Sequence, residues 1–373
     1  MNGSKEPFAV RWRERRNRVL LDPRFHKYAL RFGIGRFFAR RSAQKLFDLT
    51  AGFIYSQVLA AGVRAGLFEY LAKGPATPAE TAQEIGLPED ATRRLLAASA
   101  SLDLVDKLPD GRFMLGPQGA ALIANPGVAA MVRHHDALYA DLADPLKALE
   151  KRGAGELAKL WDYASGDQDK PTAETERYTQ LMTASQDLVA SETLRVFDVS
   201  PYTRILDIGG GSGRFLTHIA ARNTSAELHL LDRETVADLA RRTLQTRPDV
   251  NRFTVHGGDF LKAQIPAECD LITLVRILHD HDDEVVSALL KRIFEALRPV
   301  RGTLLVSEPM ADERARSRIG DAYFNIYLHS MGTGRPRTPR ELAQMLEKTG
   351  FNRIRSLPTG MPIATSAMSA IAG

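Results

Sequence analysis

The chain has 373 residues, a formal net charge of +5, nine histidines and a single cysteine, Cys269. That length accommodates two or three domains with a real core, and one cysteine excludes a disulfide framework and fits a reducing cytosol. The expected location is cytoplasmic, because no signal peptide opens the chain and no run of about 20 apolar residues is apparent that could span a bilayer; the mild basic balance does not by itself imply nucleic acid.

The charge is concentrated at the start. Residues 11–45 carry twelve basic side chains (Arg11, Arg13, Arg15, Arg16, Arg18, Arg24, Lys27, Arg31, Arg36, Arg40, Arg41 and Lys45) against Glu14 and Asp22. Trp12, Phe25, Tyr28, Phe32, Phe37 and Phe38 are interleaved with them. Basic and aromatic side chains mixed in this way suit an anionic membrane surface; a solvated arm packed on its own protein and a nucleic-acid contact are the alternatives. From Ala43 to Tyr70 the pattern is helical, with Leu46, Leu49, Phe53, Ala60 and Val63 forming one stripe.

Thr77-Pro-Ala-Glu80 is a capping box with proline at the first helical position. It opens a helix ending near Gly86, and Pro88–Ser101 forms a second. Leu104–Lys107 and Arg112–Leu115, joined by Pro109-Asp-Gly111, read as a hairpin. Two helices and a hairpin make a winged helix, a shape that can bind DNA through its second helix, where Arg93 and Arg94 lie. That helix also carries Glu89 and Asp90, which fits a packing role better than nucleic-acid binding. Residues 128–198 are expected to be helical apart from a polar loop around Gly153–Pro171, with Tyr178, Leu181, Met182, Leu188, Val189, Val196 and Phe197 marking the last helix. Within this region His134 and His135 point to different helix faces and are read as ordinary surface histidines.

Arg204-Ile-Leu-Asp207-Ile-Gly209-Gly-Gly211-Ser-Gly213-Arg-Phe215 organises the rest. Ile205, Leu206 and Ile208 make a buried strand, and a helical pattern follows from Arg214 to Ala221. The glycines therefore lie at a strand-to-helix turn, where an α/β sheet binds nucleotides. The dinucleotide spacing G-x-G-x-x-G fails, because its third glycine falls on Arg214 when counted from Gly209. Strand two, Glu227–Leu231, ends in Asp232, a carboxylate placed to accept ribose hydroxyls. Strands over 252–256, 270–275 and 302–307 alternate with helices, and Phe351–Ser356 and a run near Ala364–Ile371 close the sheet. This alternation implies a parallel, doubly wound sheet with ligands at its carboxyl edge. At that edge stands Arg276-Ile-Leu-His279-Asp280-His281-Asp282-Asp283. The cluster could hold a divalent metal, or one histidine could be a general base. Asp282 and Asp283 open a helix and are explained by capping. His279 and Glu308 end neighbouring strands, and a carboxylate beside an imidazole fixes its tautomer and stabilises its protonated form.

The G-x-G-x-G turn resembles that of class I S-adenosylmethionine methyltransferases. The order of that turn, Asp232, Gly-Asp259-Phe260, Ile-Leu-His279-Asp and Ser-Glu308 resembles the caffeate/acetylserotonin-type small-molecule O-methyltransferases. The resemblance implies a Rossmann-like methyltransferase sheet preceded by an α-helical winged-helix dimerisation domain, a homodimer, and no metal. It implies Asp207, Gly209, Gly211, Gly213, Asp232, Asp259, Phe260 and Arg276 as the residues binding S-adenosyl-L-methionine (leaving as S-adenosyl-L-homocysteine), with Asp259 and Phe260 at the adenine. His279 would take the acceptor's proton beside Glu308. Relative to the plant enzymes of this family, Val275 and His281 replace a lysine and a tryptophan, and Pro336 and Met331 replace a glutamate and an asparagine, which argues against a phenol pocket.

Arg-Asn-Arg18, Asp22-Pro-Arg-Phe25, Phe47-Asp-Leu-Thr-Ala-Gly-Phe-Ile-Tyr-Ser-Gln57, Arg276-Ile-Leu-His-Asp-His281, Tyr323-Phe-Asn-Ile-Tyr327 and Met331-Gly-Thr-Gly-Arg335 are similar to the hydroxyneurosporene/demethylspheroidene O-methyltransferases of purple phototrophic bacteria. That implies the tertiary 1-hydroxyl of an acyclic carotenoid as acceptor, and an apolar channel drawn from Tyr323, Phe324, Ile326, Tyr327 and Met331, with Phe53 and Tyr55 from a partner subunit. The expected organisation is a basic arm over residues 1–42, a helical dimerisation and substrate domain over 43–190 and a methyltransferase domain over 191–373. Peripheral contact with the cytoplasmic face of the inner membrane is expected of the arm. A phenol or polyketide O-methyltransferase, a winged-helix regulator that senses S-adenosylmethionine, and a silent relative that binds cofactor without turnover are the rival readings.

Overall fold

A computed structural model describes residues 8–25, 33–165, 186–360 and 365–373. Lys27, Tyr28, Arg31, Phe32, Tyr178, Leu181, Met182 and Ala364, named above, lie outside them. The chain divides into two compact units, Met1–Ala120 and Ala121–Gly373.

In the first unit, α1 (Phe8–Leu21) buries no residue. It is followed by α2 (Gly33–Ala65), one 33-residue helix that starts ten residues before the pattern at Ala43 predicts. The apolar stripe of α2 is split. Ala60 and Val63 are buried, whereas Leu46, Leu49 and Phe53 are 66, 79 and 68% exposed. The helix packs on α3 (Leu67–Leu71) and α5 (Glu89–Ser101). Contrary to the sequence expectation, Arg36–Ala65 is long and apolar enough, by length and composition alone, to cross a bilayer. The apolar character was hidden by interleaved Ala, Gly, Ser and Thr, yet residues 49–63 contain no charge.

The capping box forms as read. Thr77 Oγ1 accepts from the Glu80 backbone N–H at 3.2 Å, and Glu80 Oε2 accepts from the Thr77 N–H at 2.7 Å, opening α4 (Pro78–Ile85). β1 (Val105–Lys107) and β2 (Phe113–Leu115) pair antiparallel to complete the winged helix. On α5 both arginines turn back onto their own helix, Arg93 to Glu89 and Arg94 to Asp90 at 2.9 Å. This local pairing leaves them poorly placed to read DNA.

The chain continues through α6 (Pro117–Ala124), α7 (Pro126–Asp141), α8 (Pro145–Glu150) and α9 (Glu156–Ser165). α9 lies inside the stretch expected to be a loop. A helix over 186–196, α10, leads into the sheet. Its strands are β3 (Arg204–Ile208), β4 (Glu227–Asp232), β5 (Phe253–Gly257), β6 (Leu271–Val275), β7 (Thr303–Glu308), β8 (Phe351–Leu357) and β9 (Ser366–Ala372), in the order β5-β4-β3-β6-β7-β9-β8. The first five are parallel, but β9 runs antiparallel to both β7 and β8. The expectation of a parallel sheet throughout is corrected at this edge. Residues 358–365 are too few for a crossover, so the last two strands can only form a hairpin.

Alternation along the strands sends Leu206, Ile208, Ile272, Leu274 and Val306 to one face, against α13 (Asp283–Leu297) and α14 (Pro339–Thr349). Ile205, Leu228, Leu230, Leu271 and Leu305 pack on the other, against α10, α11 (Arg214–Arg222) and α12 (Glu234–Leu244). Each such fully buried aliphatic side chain contributes about 1.5–3 kcal/mol. The sheet is therefore rigid where its carboxyl ends meet the site.

Candidate active site

At the end of β3 the chain turns through Gly209, Gly211 and Gly213, with φ of 70°, 58° and 81°. These left-handed values favour glycine. A Cβ on Gly209 would sit 2.2 Å from Ile277 Cδ1, whereas above Gly211 there is open space. The turn is held from the next strand, since Asp232 Oδ2 accepts from the Gly211 N–H and Oδ1 from the Arg233 N–H, both at 2.8 Å. Burial raises the Asp232 pKa, and those two donors oppose the rise. Each carboxylate oxygen keeps a lone pair for a further donor, as binding a pair of ribose hydroxyls requires.

Gly209, Gly211, Asp232, Asp259, Phe260 and Arg276 line one cavity of about 470 Å³. His279, Tyr323, Phe324 and Tyr327 line the same cavity. Five residues named from the sequence do not. Gly213 forms the N-cap of α11. Asp207 is buried beneath the turn, where Oδ1 accepts from Thr273 Oγ1 at 2.7 Å and burial pushes its pKa up to about 7. Met331 is packed in a cluster with Leu138, Leu157 and Leu328. Ile326 and Glu308 also lie off the cavity surface, although Glu308 reaches it through His279.

The second half of the site starts where β6 ends. Arg276 takes φ of 59°, an uncommon value for a residue with a side chain, and its N–H donates to Ser307 O at 2.8 Å. Past it, Glu308 at the end of β7 is fully engaged. Oε1 accepts from the N–H groups of Ile277 (2.9 Å) and Leu278 (2.7 Å), and Oε2 pairs with His279 Nδ1. On the other side of the ring, His279 Nε2 lies 3.2 Å from Asp280 Oδ1. Burial alone would lower the His279 pKa, but the Asp280 and Glu308 carboxylates outweigh it and raise the value. For His281 burial wins and the pKa falls. His279 is the basic member of the pair, in contact with the cavity and oriented from behind by a carboxylate.

Asp282 occupies the N-cap position of α13 but makes no capping bond. It accepts instead from Arg152 Nη2 at 2.7 Å and the Gly334 N–H at 3.1 Å, while Asp283 pairs with Arg335 and Arg337. An ion-pair cluster replaces the capping bond, while Asp283 keeps the first-turn position in which a carboxylate compensates the helix dipole. Arg337 is buried, and its guanidinium donates to Leu278 O at 2.7 Å and His281 O at 2.8 Å, bracketing His279. Among the described residues no group of three His, Cys, Asp or Glu side chains could hold a metal ion.

His134 and His135 are also corrected. They are partly buried, and His134 Nε2 is 2.8 Å from Tyr327 Oη and His135 Nε2 2.7 Å from Tyr323 Oη. Asp280 and His281, part of the cluster read at the sheet edge, line the cavity too, whereas sequence reasoning missed Met131 and Arg233. Arg233 adjoins Asp232, which was a usable signal. Met131 lies far away in the chain and gave none.

The parallel strands with a glycine turn and an acid on the next strand have the form of a nucleotide-type α/β site, and the buried histidine–carboxylate pair on the same cavity has the geometry for proton transfer. Residues 139–352 match the family model of the O-methyltransferase domain, and residues 47–125 that of the O-methyltransferase dimerisation domain. The chain is 40% identical over 349 residues to demethylspheroidene O-methyltransferase of Cereibacter sphaeroides, covering 93% of this chain and 92% of that one. Human N-acetylserotonin methyltransferase in complex with SAM superposes with a TM-score of 0.76 at 24% identity, over 89% of this chain and 98% of that one. The SAH-bound methyltransferase of calicheamicin biosynthesis does so with a TM-score of 0.74 at 28% identity, over 89 and 98%. The chain belongs to the O-methyltransferase family, with a dimerisation domain ahead of its catalytic domain.

Proposed function

We propose that this enzyme methylates the hydroxyl of an acyclic carotenoid of the demethylspheroidene type, using S-adenosyl-L-methionine as donor and no metal. One observation carries the chemistry, namely that the glycine turn with Asp232 and the buried His279–Glu308 pair open on the same cavity. The acceptor rests on the 40% identity to demethylspheroidene O-methyltransferase, which runs nearly end to end.

The donor, when bound, supplies a methyl group already activated by the sulfonium charge. The turn and Asp232 hold its ribose, and Asp259 and Phe260 meet its adenine. What remains for the chain is in-line positioning and removal of one proton. A tertiary alcohol is far less acidic than a phenol, so His279 cannot ionise it beforehand. The proton passes to Nε2 as the oxygen–methyl bond forms, and Glu308 stabilises the resulting imidazolium. Labelled donor with purified enzyme and demethylspheroidene should give a labelled methyl ether. Labelling of phenols alone would replace the carotenoid reading.

By role, residues 1–42 form a basic arm, 43–190 a dimerisation and substrate domain, and 191–373 the methyltransferase domain. The exposed Leu46, Leu49 and Phe53 of α2 suit a homodimer face. Phe8 and Trp12 are exposed among the arginines of α1 and suit peripheral contact with an anionic membrane at its cytoplasmic face. Co-sedimentation with anionic vesicles at low salt, release at high salt and indifference to neutral vesicles are the expected results.

A further inference from the structure

Part of the cavity wall is aromatic, and it has an unusual backing. Tyr323 and Tyr327 are stacked with ring centroids 5.8 Å apart, and Phe324 meets the His279 ring edge-on at 5.6 Å. Both tyrosines line the cavity, while His134 and His135 are not among the lining residues. Each phenol hydroxyl is within hydrogen-bond distance of one of these adjacent histidines on α7, and the Tyr323 hydroxyl also donates to Met131 Sδ at 3.6 Å. Burial holds the His135 imidazole below its ordinary pKa and hence neutral, so it pairs with Tyr323 without bringing a charge to the wall.

A tyrosine in a pocket wall is ambiguous. Its ring is apolar, but an unpaired hydroxyl demands a partner, from water or from the ligand, and leaving it unsatisfied is costly. Here both hydroxyls are satisfied by the protein. The wall then offers carbon from Met131, Phe324 and the two tyrosine rings, and the polar groups Arg276, His279, Asp280 and His281 gather along the segment that follows β6.

We propose that His134 and His135 are specificity-determining residues: by occupying the hydroxyls of Tyr327 and Tyr323 they keep the acceptor wall hydrocarbon-like, so that the site selects an acceptor with an apolar body and one hydroxyl. This deepens the acceptor reading above and rests on it. The histidines do not touch the reacting atoms; they act through the tyrosines.

The test is a cycle of variants assayed with demethylspheroidene and, in parallel, with the hydroxyindole N-acetylserotonin. His134→Leu/His135→Leu should raise KM for the apolar acceptor at least ten-fold, with a smaller loss in kcat and S-adenosylmethionine affinity within two-fold by calorimetry. Adding Tyr323→Phe/Tyr327→Phe removes the hydroxyls that have lost their histidine and should bring KM back to within about three-fold of the parent. Should the leucine variant not fold, the single variants His134→Leu and His135→Leu replace it, and His134→Gln/His135→Gln, which retains hydrogen-bonding groups, should raise KM for the apolar acceptor by less than either of them. An unchanged KM in the leucine variant, or no recovery on removing the hydroxyls, overturns the proposal. If the parent methylates only the hydroxyindole, the carotenoid reading fails. The same cycle run on that acceptor then still decides whether the histidines set selectivity.

Discussion

The two halves of the cavity are built by different means. The donor half is made of backbone: two left-handed glycines, Gly209 and Gly211, and an acid one strand away, which receives the turn's own N–H. The acceptor half is made of side chains that converge from α7, from the segment after β6 and from the helix carrying Tyr323, Phe324 and Tyr327. Backbone geometry of the first kind is written in consecutive residues, because the glycines must stand at fixed spacing between strand and helix. Side-chain walls of the second kind also depend on which distant elements meet, and no single stretch states that.

That contrast explains what could be read in advance. The strands, the glycine turn, Asp232, the capping box at Thr77 and the pairing of His279 with Glu308 follow from short-range pattern and from the rule that ligands meet the carboxyl edge of a parallel sheet. The His134 and His135 partners were illegible, because nothing in the sequence says that α7 lies against Tyr323 and Tyr327. Asp207 was assigned a role by its motif position, and its Oδ1 meets Thr273 on the adjacent strand, a neighbour known only from sheet order. The reversed edge formed by β8 and β9 was legible in principle from the short connection, and was overridden by the preceding alternation.

The sharpest break between the halves is at His279. His279→Ala should lower kcat by roughly 10²–10⁴-fold, the range for a lost general base, and leave donor affinity intact. Single-turnover kinetics and calorimetry on one preparation would show it, and a parallel loss of donor binding would mean that the halves are not separable. The reverse change is Asp232→Ala. It should weaken S-adenosylmethionine binding by about 1.5–3 kcal/mol, the range for a charged hydrogen bond. Because Asp232 also holds the Gly211 N–H, part of that loss comes from a loosened turn. Unchanged affinity would remove Asp232 from the donor half.

Arg337 tests whether the acceptor half depends on support from behind. Its guanidinium ties Leu278 O and His281 O to Asp283. Arg337→Met leaves those two carbonyls without this donor and frees the backbone on both sides of His279. Misplacing a catalytic group by a fraction of an ångström costs less than deleting it, so kcat should fall on the order of 10-fold, with donor affinity unchanged. Arg337→Lys keeps the charge but not the fork, and should recover little. Full activity in either variant would show that the segment holds its own shape.

The smallest effect is the most specific to the base. His279 must be neutral to take a proton, so activity is lost as pH falls through its pKa. Its flanking carboxylates raise that pKa, so the acid limb of kcat/KM should lie above the ordinary imidazole value of about 6.5. The apparent value belongs to the coupled group of His279, Asp280 and Glu308 and not to one ring. Asp280→Asn removes one of the two negative charges while Glu308 continues to orient Nδ1. Less stabilisation of the imidazolium lowers the pKa, and the acid limb should move to lower pH. At acidic pH the variant should therefore retain a larger share of its own plateau activity than the parent. If the parent's limb lies below the ordinary value, the burial-depressed His281 becomes the better base. If Asp280→Asn leaves the limb in place, the 3.2 Å approach of Asp280 to Nε2 has no electrostatic consequence for catalysis.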